Sequence, residues 1–158
     1  MSPDLEEQLQ RQFPDLFVSV EGELISIECL DGWFHVIRRL CEELIMFDQP
    51  YGQSHFVNIK QKYGKLSVSA DNFSMDMYEI LRYHERKSYN YCEVCGDDGG
   101  YLKVKGQHMT RCQPCAVAQF PELTTYAVLD PDTIPQGYPE EAIESHSYCS
   151  SSHDGSNE

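Results

Sequence analysis

Apolar residues recur at helical spacing in two stretches of the chain. From about Asp31 to Phe47, the residues Trp33, Ile37, Leu40, Cys41 and Leu44 fall on one stripe. That pattern predicts an amphipathic helix with Asp31 placed to cap it. A second stripe, Phe73, Met77, Ile80, Leu81 and His84, predicts another helix over roughly 73–88, capped by Asp71 or Asn72. A shorter polar helix is predicted over 3–12, where Pro3 suits a first helical position and Leu5 and Leu9 stand at i, i+4 spacing. Phe13-Pro14-Asp15 ends it, because proline disfavours helix in the residue before it.

Strand signals lie between these helices. Residues 16–20 and 24–29 read as strands around the turn at Glu21-Gly22-Glu23. His55–Ile59 and Lys65–Ser69 read as a hairpin whose connection, Lys62-Tyr63-Gly64, supplies a glycine. Phe56 and Val57 stand side by side and blur the alternation of the first strand. From 121 onward there are four prolines and no long periodic run, and residues 145–158 hold six serines in 14 positions. That tail reads as disordered. The expectation is an α+β fold with a small antiparallel sheet and two amphipathic helices. Residues 1–91 would form the core, 92–120 a metal-binding element packed on it, and 121–158 an acidic, Pro/Ser-rich extension.

The metal expectation comes from the cysteines. Cys92-Glu93-Val94-Cys95-Gly96 and Cys112-Gln113-Pro114-Cys115 are C-x-x-C pairs with 16 residues between them. Two residues between cysteines let a tight turn aim both thiolates at one point, and Gly96 suits the positive φ of such a turn. Two facing pairs supply the tetrahedral sulfur set that zinc prefers, and this spacing matches the zinc pattern. The intervening Tyr101–Lys105 reads as a strand bounded by Gly99-Gly100 and Gly106, with a short helix after it at 115–120. A zinc-ribbon or treble-clef-like element holding one structural Zn²⁺ on Cys92, Cys95, Cys112 and Cys115 is expected. Two disulfides or a redox dithiol are the alternatives; seven cysteines in an intracellular chain fit the first poorly, and a second matched pair is superfluous for the second. Cys29 and Cys41 read as small core residues, Cys149 as an exposed thiol, and His84 as a core histidine. His108 is a spare ligand candidate and Asp97-Asp98 a solvated turn.

Charge narrows the function. The 158 residues carry a net charge of -14, distributed as -8 over 1–59, +2 over 60–111 and -8 over 112–158. Such acidity disfavours sequence-independent binding to DNA or anionic membrane, which rests on neutralising phosphates. No apolar run approaches the roughly 20 residues of a membrane helix, and the start of the chain lacks a basic, then apolar, signal segment. A soluble, cytoplasmic protein without a small-molecule substrate is expected. The weakly basic middle keeps a nucleic-acid reading alive: Arg82, Arg86, Lys87, Lys103, Lys105 and Arg111 are interleaved with Tyr89 and Tyr101, and cations with aromatics suit single strands. No catalytic set is legible. The deaminase order H-x-E then P-C-x-x-C is missing, as are H-E-x-x-H, the P-loop and G-x-S-x-G.

Gly32-Trp33-Phe34 with Leu40-Cys41, then Ile59-Lys60-Gln61-Lys62-Tyr63-Gly64-Lys65-Leu66, then Ser88 and the two cysteine pairs, together resemble a family of small uncharacterised proteins of bacteria, phages and mobile elements. Members share a "GWF" helix, an "IKxKFGxL" strand-turn and terminal knuckles often ending in histidine. Here Tyr63 replaces the phenylalanine and Cys115 the histidine. The resemblance spans about residues 13–116. It implies an α+β fold and the same four ligands, but no reaction. The leading expectation is therefore a non-enzymatic, protein-binding module. It would act on a host protein as an inhibitor or as an acidic mimic occupying a basic, nucleic-acid-binding groove. Nucleic-acid binding is the second reading and an unrecognised enzyme the third.

Overall fold

The computed structural model describes residues 1–47, 54–123 and 125–130; the serine-rich tail and Cys149 lie outside them. Helix α1 (Pro3–Gln12) is followed directly by a short helix α2 (Pro14–Phe17) and the two-residue strand β1 (Ile27–Glu28). A 3-10 turn (Asp31–Trp33) leads into α3 (Phe34–Leu44), then β2 (His55–Lys62), β3 (Lys65–Asp71) and α4 (Met75–Lys87). A second unit comprises β4 (Gly100–Val104), β5 (Gln107–Arg111) and α5 (Gln113–Gln119).

The fold is α+β, but the main sheet is mixed. Its order is β1-β2-β3, with β1 parallel to β2 and β2 antiparallel to β3. The expected purely antiparallel sheet is thereby corrected: α3 lies between β1 and β2 in sequence, and a helical crossover permits parallel pairing. The expected strand at 16–20 is also corrected, since Pro14 starts a helical turn that buries Leu16 and Phe17. Val18 forms an isolated antiparallel bridge to Leu24 in place of a strand. The β2–β3 hairpin closes through the two residues Tyr63 and Gly64, at φ 51° and 77°, the backbone of a type I′ turn. Val57 is skipped by the register between Phe56 and Asn58; it is a bulge, which explains the broken alternation.

Helix side chains close both edges of this sheet. On the β1 side, Glu6 Oε1 accepts from Ile27 N at 2.9 Å and Gln10 Nε2 donates to Ile25 O at 3.0 Å. On the β3 side, Ser88 Oγ accepts from Leu66 N at 3.0 Å and Glu85 Oε1 from Val68 N at 2.8 Å. Tyr78 OH donates to Ala70 O at 2.8 Å. Unpaired edge groups invite another strand, so these contacts shield the sheet edges. Beneath it, the α3 stripe of Trp33, Ile37, Leu40, Cys41 and Leu44 is wholly buried against Leu9, Phe17, Phe56, Ile59 and Leu66. Caps differ from expectation. Ser74, not Asp71 or Asn72, accepts from Met77 N and caps α4, while Asp31 is taken by Ser2 N at 2.6 Å and makes no cap to α3.

Candidate metal centre

Tyr91 leads into a tight turn in which Gly96 N donates to Cys92 O at 2.9 Å and Cys92 N to Asp97 O at 2.7 Å. Gly96 has φ +82°, a conformation that favours glycine, and the turn brings the Cys95 sulfur beside that of Cys92. The chain then runs through β4, a two-residue turn at Lys105-Gly106 (φ 50° and 82°), and β5. Cys112 is the N-cap residue of α5, and Cys115 lies in its first turn behind Pro114, so the helix start places the second pair as the knuckle places the first.

The ligand atoms of Cys92, Cys95, Cys112 and Cys115 all lie within 4.8 Å of one another. Cys95 Sγ and Cys112 Sγ are 3.6 Å apart, too far for a disulfide at about 2.05 Å. A tetrahedron with metal–sulfur bonds of about 2.3 Å has edges of about 3.8 Å, so the sulfurs fit one metal ion. Electrostatics point the same way. Burial pushes the Cys92 thiol up, but the backbone N–H groups of Cys112, Cys95 and Val94 outweigh it and hold it at about 7. Burial raises Cys95, and neighbouring thiols add to the rise; burial likewise brings Cys115 to about 11. One thiolate is thus accommodated by the backbone, whereas four at this separation require a cation. These four cysteines could hold a metal ion.

The other sequence candidates sort differently. Asp97 Oδ2 is 3.5 Å from Cys95 Sγ. The His108 ring stacks on Tyr101 with centroids 5.5 Å apart, and its Nδ1 meets the Tyr101 hydroxyl. Cys29 and Cys41 are buried in the core, and burial raises the Cys29 thiol to about 12 and the Cys41 thiol further. His84 is buried with Nε2 3.2 Å from Glu43 Oε1; burial lowers its pKa, partly opposed by Glu43. Among the basic and aromatic residues, Arg82, Arg86, Lys103 and Lys105 are exposed. Lys105 pairs with Glu122, and Lys87 lies 5.3 Å over the Tyr83 ring. Arg111 places Nε and Nη2 each 3.1 Å from buried Glu93 Oε1. Tyr101 is only 2% exposed and meets Tyr89 edge-on at 5.2 Å, so no base can stack on its ring.

The residues that fasten this centre to the core had not been singled out as functional. Gly32 N donates to Glu93 O at 3.0 Å, and a Cβ on Gly32 would stand 2.1 Å from Cys92 O. Trp33 Nε1 donates to Tyr91 O at 2.9 Å. On the other flank, Thr110 Oγ1 donates to Gly64 O at 2.6 Å and Gln61 Nε2 to His108 O at 3.2 Å. The signal for both was already present, in the Gly32-Trp33-Phe34 and Lys62-Tyr63-Gly64 motifs. Residues beyond α5 complete the unit: Phe120, Leu123 and Tyr126 pack on Leu102, Met109 and Ala116, and Leu129 bridges to Tyr101.

No family model, curated protein or solved structure matches this chain. Among the described residues, no helix is long and apolar enough to cross a membrane.

Proposed function

We propose that the protein is a non-catalytic, protein-binding module stabilised by one structural Zn²⁺ on Cys92, Cys95, Cys112 and Cys115. The observation that carries this reading is the set of four thiol sulfurs within 4.8 Å of one another. Soft thiolates in tetrahedral array suit zinc, and four of them leave no position for water or substrate. Of the two arrangements expected, a hairpin followed by a helix whose start carries the last pair favours a treble-clef-like element. Elemental analysis should give about one zinc per chain, with Cys95→Ala releasing it. A folded protein without zinc, or one coloured by iron, would refute the assignment.

The partner we favour is a basic, nucleic-acid-binding protein of a host cell, engaged through acidic surface. The two -8 blocks support this, as does the resemblance to proteins of phages and mobile elements. Tyr101 and Arg111, needed by the nucleic-acid reading, are already committed inside the fold, which is why that reading ranks second. A pull-down from bacterial lysate at low and high salt tests the choice. Capture of basic proteins that salt releases supports it; partners that are neither basic nor salt-sensitive would sink it.

A further inference from the structure

Helices α3 and α4 pack side by side and leave a groove of about 570 Å³ between the end of α3 and the first turns of α4. Its lining is Glu43 and Phe47 from the α3 side with Asp76, Glu79, Ile80 and Tyr83 from α4. The α4 residues recur at i, i+3, i+4 and i+7, so they share one face of the helix. Half-buried Phe47 and Ile80 form the groove's floor, and exposed Tyr83 stands with three carboxylates on its rim. No lysine or arginine lines it among the described residues; Lys87 lies over the Tyr83 ring. Glu43 is half-exposed, with its Oε1 3.2 Å from Nε2 of buried His84. Beside the groove in sequence, Met46 is 81% and Met75 70% exposed, and methionine side chains adapt to varied apolar partners.

We infer that this groove is the docking site for a basic amphipathic helix of a partner protein. The inference rests on the protein-binding reading above and gives it a place and a chemistry. Charge complementarity selects the occupant: an apolar segment without cations would leave three carboxylates facing it unpaired, and an anionic membrane surface would be repelled by them. A helix presenting apolar anchors at i, i+3, i+4 and i+7, flanked by Lys or Arg, fills the floor and answers the rim together. The volume suits a few side-chain anchors, not a whole domain.

The test uses the full-length, zinc-loaded protein and fluorescence anisotropy with a labelled Lys/Leu peptide of helical amphipathic pattern. A scrambled peptide of identical composition and a Glu/Leu version serve as competitors. The wild type should bind the amphipathic peptide at least about tenfold more tightly than the scrambled one, and the Glu/Leu peptide not at all. Asp76→Asn with Glu79→Gln, and separately Tyr83→Ala, should each weaken binding about tenfold, with unchanged thermal melts showing the fold intact. Glu21→Gln with Glu23→Gln, in an exposed acidic turn elsewhere, should leave it unchanged. Equal weakening by the turn and groove variants, or equal binding of the scrambled peptide, would overturn the groove while leaving a diffuse acidic surface for the broader reading. Self-association in sedimentation that the groove variants abolish would also overturn it, by assigning the groove to a second copy. Salt-sensitive capture of basic proteins that groove variants do not diminish would likewise separate the two readings.

Discussion

The contact between Gly32 and the first knuckle makes a sharp prediction, because backbone stands on both sides of it. An added Cβ would lie 2.1 Å from Cys92 O, 2.6 Å from Glu93 C and 2.7 Å from Gly96 N. Ordinary non-bonded separations are about 3.5 Å, so Gly32→Ala forces the 3-10 turn and the knuckle apart by more than about 1 Å, and no rotamer can relieve it. Overpacking of this kind costs about 1–3 kcal/mol, and loss of the Gly32 N–Glu93 O bond adds about 1 kcal/mol. The stiffer unfolded chain returns about 0.4–1 kcal/mol. The net loss is about 1–4 kcal/mol, at about 2–4 °C in Tm for each kcal/mol in a chain of this size. Because the displaced atoms belong to the segment carrying Cys92 and Cys95, zinc affinity should fall with stability. Thermal melts of the loaded protein and competition with a chromophoric chelator read the two quantities. Gly22→Ala is the control: its φ is +83° with nothing within 4 Å of the added carbon, so it costs about 1 kcal/mol of backbone strain and leaves zinc affinity alone. Wild-type stability and zinc affinity in Gly32→Ala would refute the clamp.

Ser88→Ala should cost about 1–3 kcal/mol in urea unfolding, because Ser88 is fully buried and its loss leaves Leu66 N unpaired at the sheet edge; hydrogen exchange at Leu66 should rise with it. Burial raises the Glu85 carboxyl above 4.5, against the opposing Val68 N–H bond and the charges of Lys65 and Arg82. Its ionisation therefore costs folding free energy: the favourable contribution is full below pH 4.5 and lost as pH rises through the raised value. Glu85→Gln keeps an acceptor for Val68, so its stability relative to wild type should increase from pH 4 to pH 7; a flat difference would refute this. Cys115→His should retain metal, seen as a three-sulfur charge-transfer spectrum with Co²⁺, whereas Cys115→Ala should weaken it at least about tenfold. Chelation should lower the melting temperature of the core as well as the hairpin unit; two independent transitions, with the core unmoved, would contradict the coupling between them.

The legible parts of the sequence were those with long or rigid signatures. The α3 stripe is readable because five buried positions repeat at helical spacing, and the cysteine pairs because two tight turns impose their own spacing. Short elements escaped. Pro14–Phe17 is one helical turn, too brief for periodicity, and the β-branched Val18 and Val20 beside it mimic a strand. Strand β1 has two residues, so its parallel pairing follows from where α3 delivers the chain and not from alternation. Tyr101 misled for a related reason. Gly100, Tyr101 and Leu102 are consecutive buried residues in β4, because Tyr89 covers the Tyr101 side while Met109, Ala116 and, over Gly100, Val128 pack on the other. An aromatic among lysines looks like a surface residue until both faces of its strand are seen to be covered.

The two motifs that looked like family marks turn out to share one physical task. Gly32 allows the backbone before α3 to touch the knuckle, and Trp33, at the head of the buried stripe, fixes Tyr91 O. Tyr63-Gly64 makes a type I′ turn, whose twist suits the hairpin. Its glycine lets β5 approach: a Cβ there would stand 2.7 Å from Met109 N, and Gly64 O takes the Thr110 hydroxyl. The cysteine unit is therefore held on one flank by the head of the main helix and on the other by the tip of the main hairpin. A metal that closes the four sulfurs orders both flanks, since one ends on Tyr91 O and Glu93 O beside Cys92 and the other on the Thr110 hydroxyl two residues before Cys112. The free energy of metal binding then supports the small sheet as well as the knuckles, while the α3–α4 groove is built from the opposite end of α3, away from the Gly32 clamp. Metal can thus set the stability of the scaffold without occupying the surface on which a partner would dock.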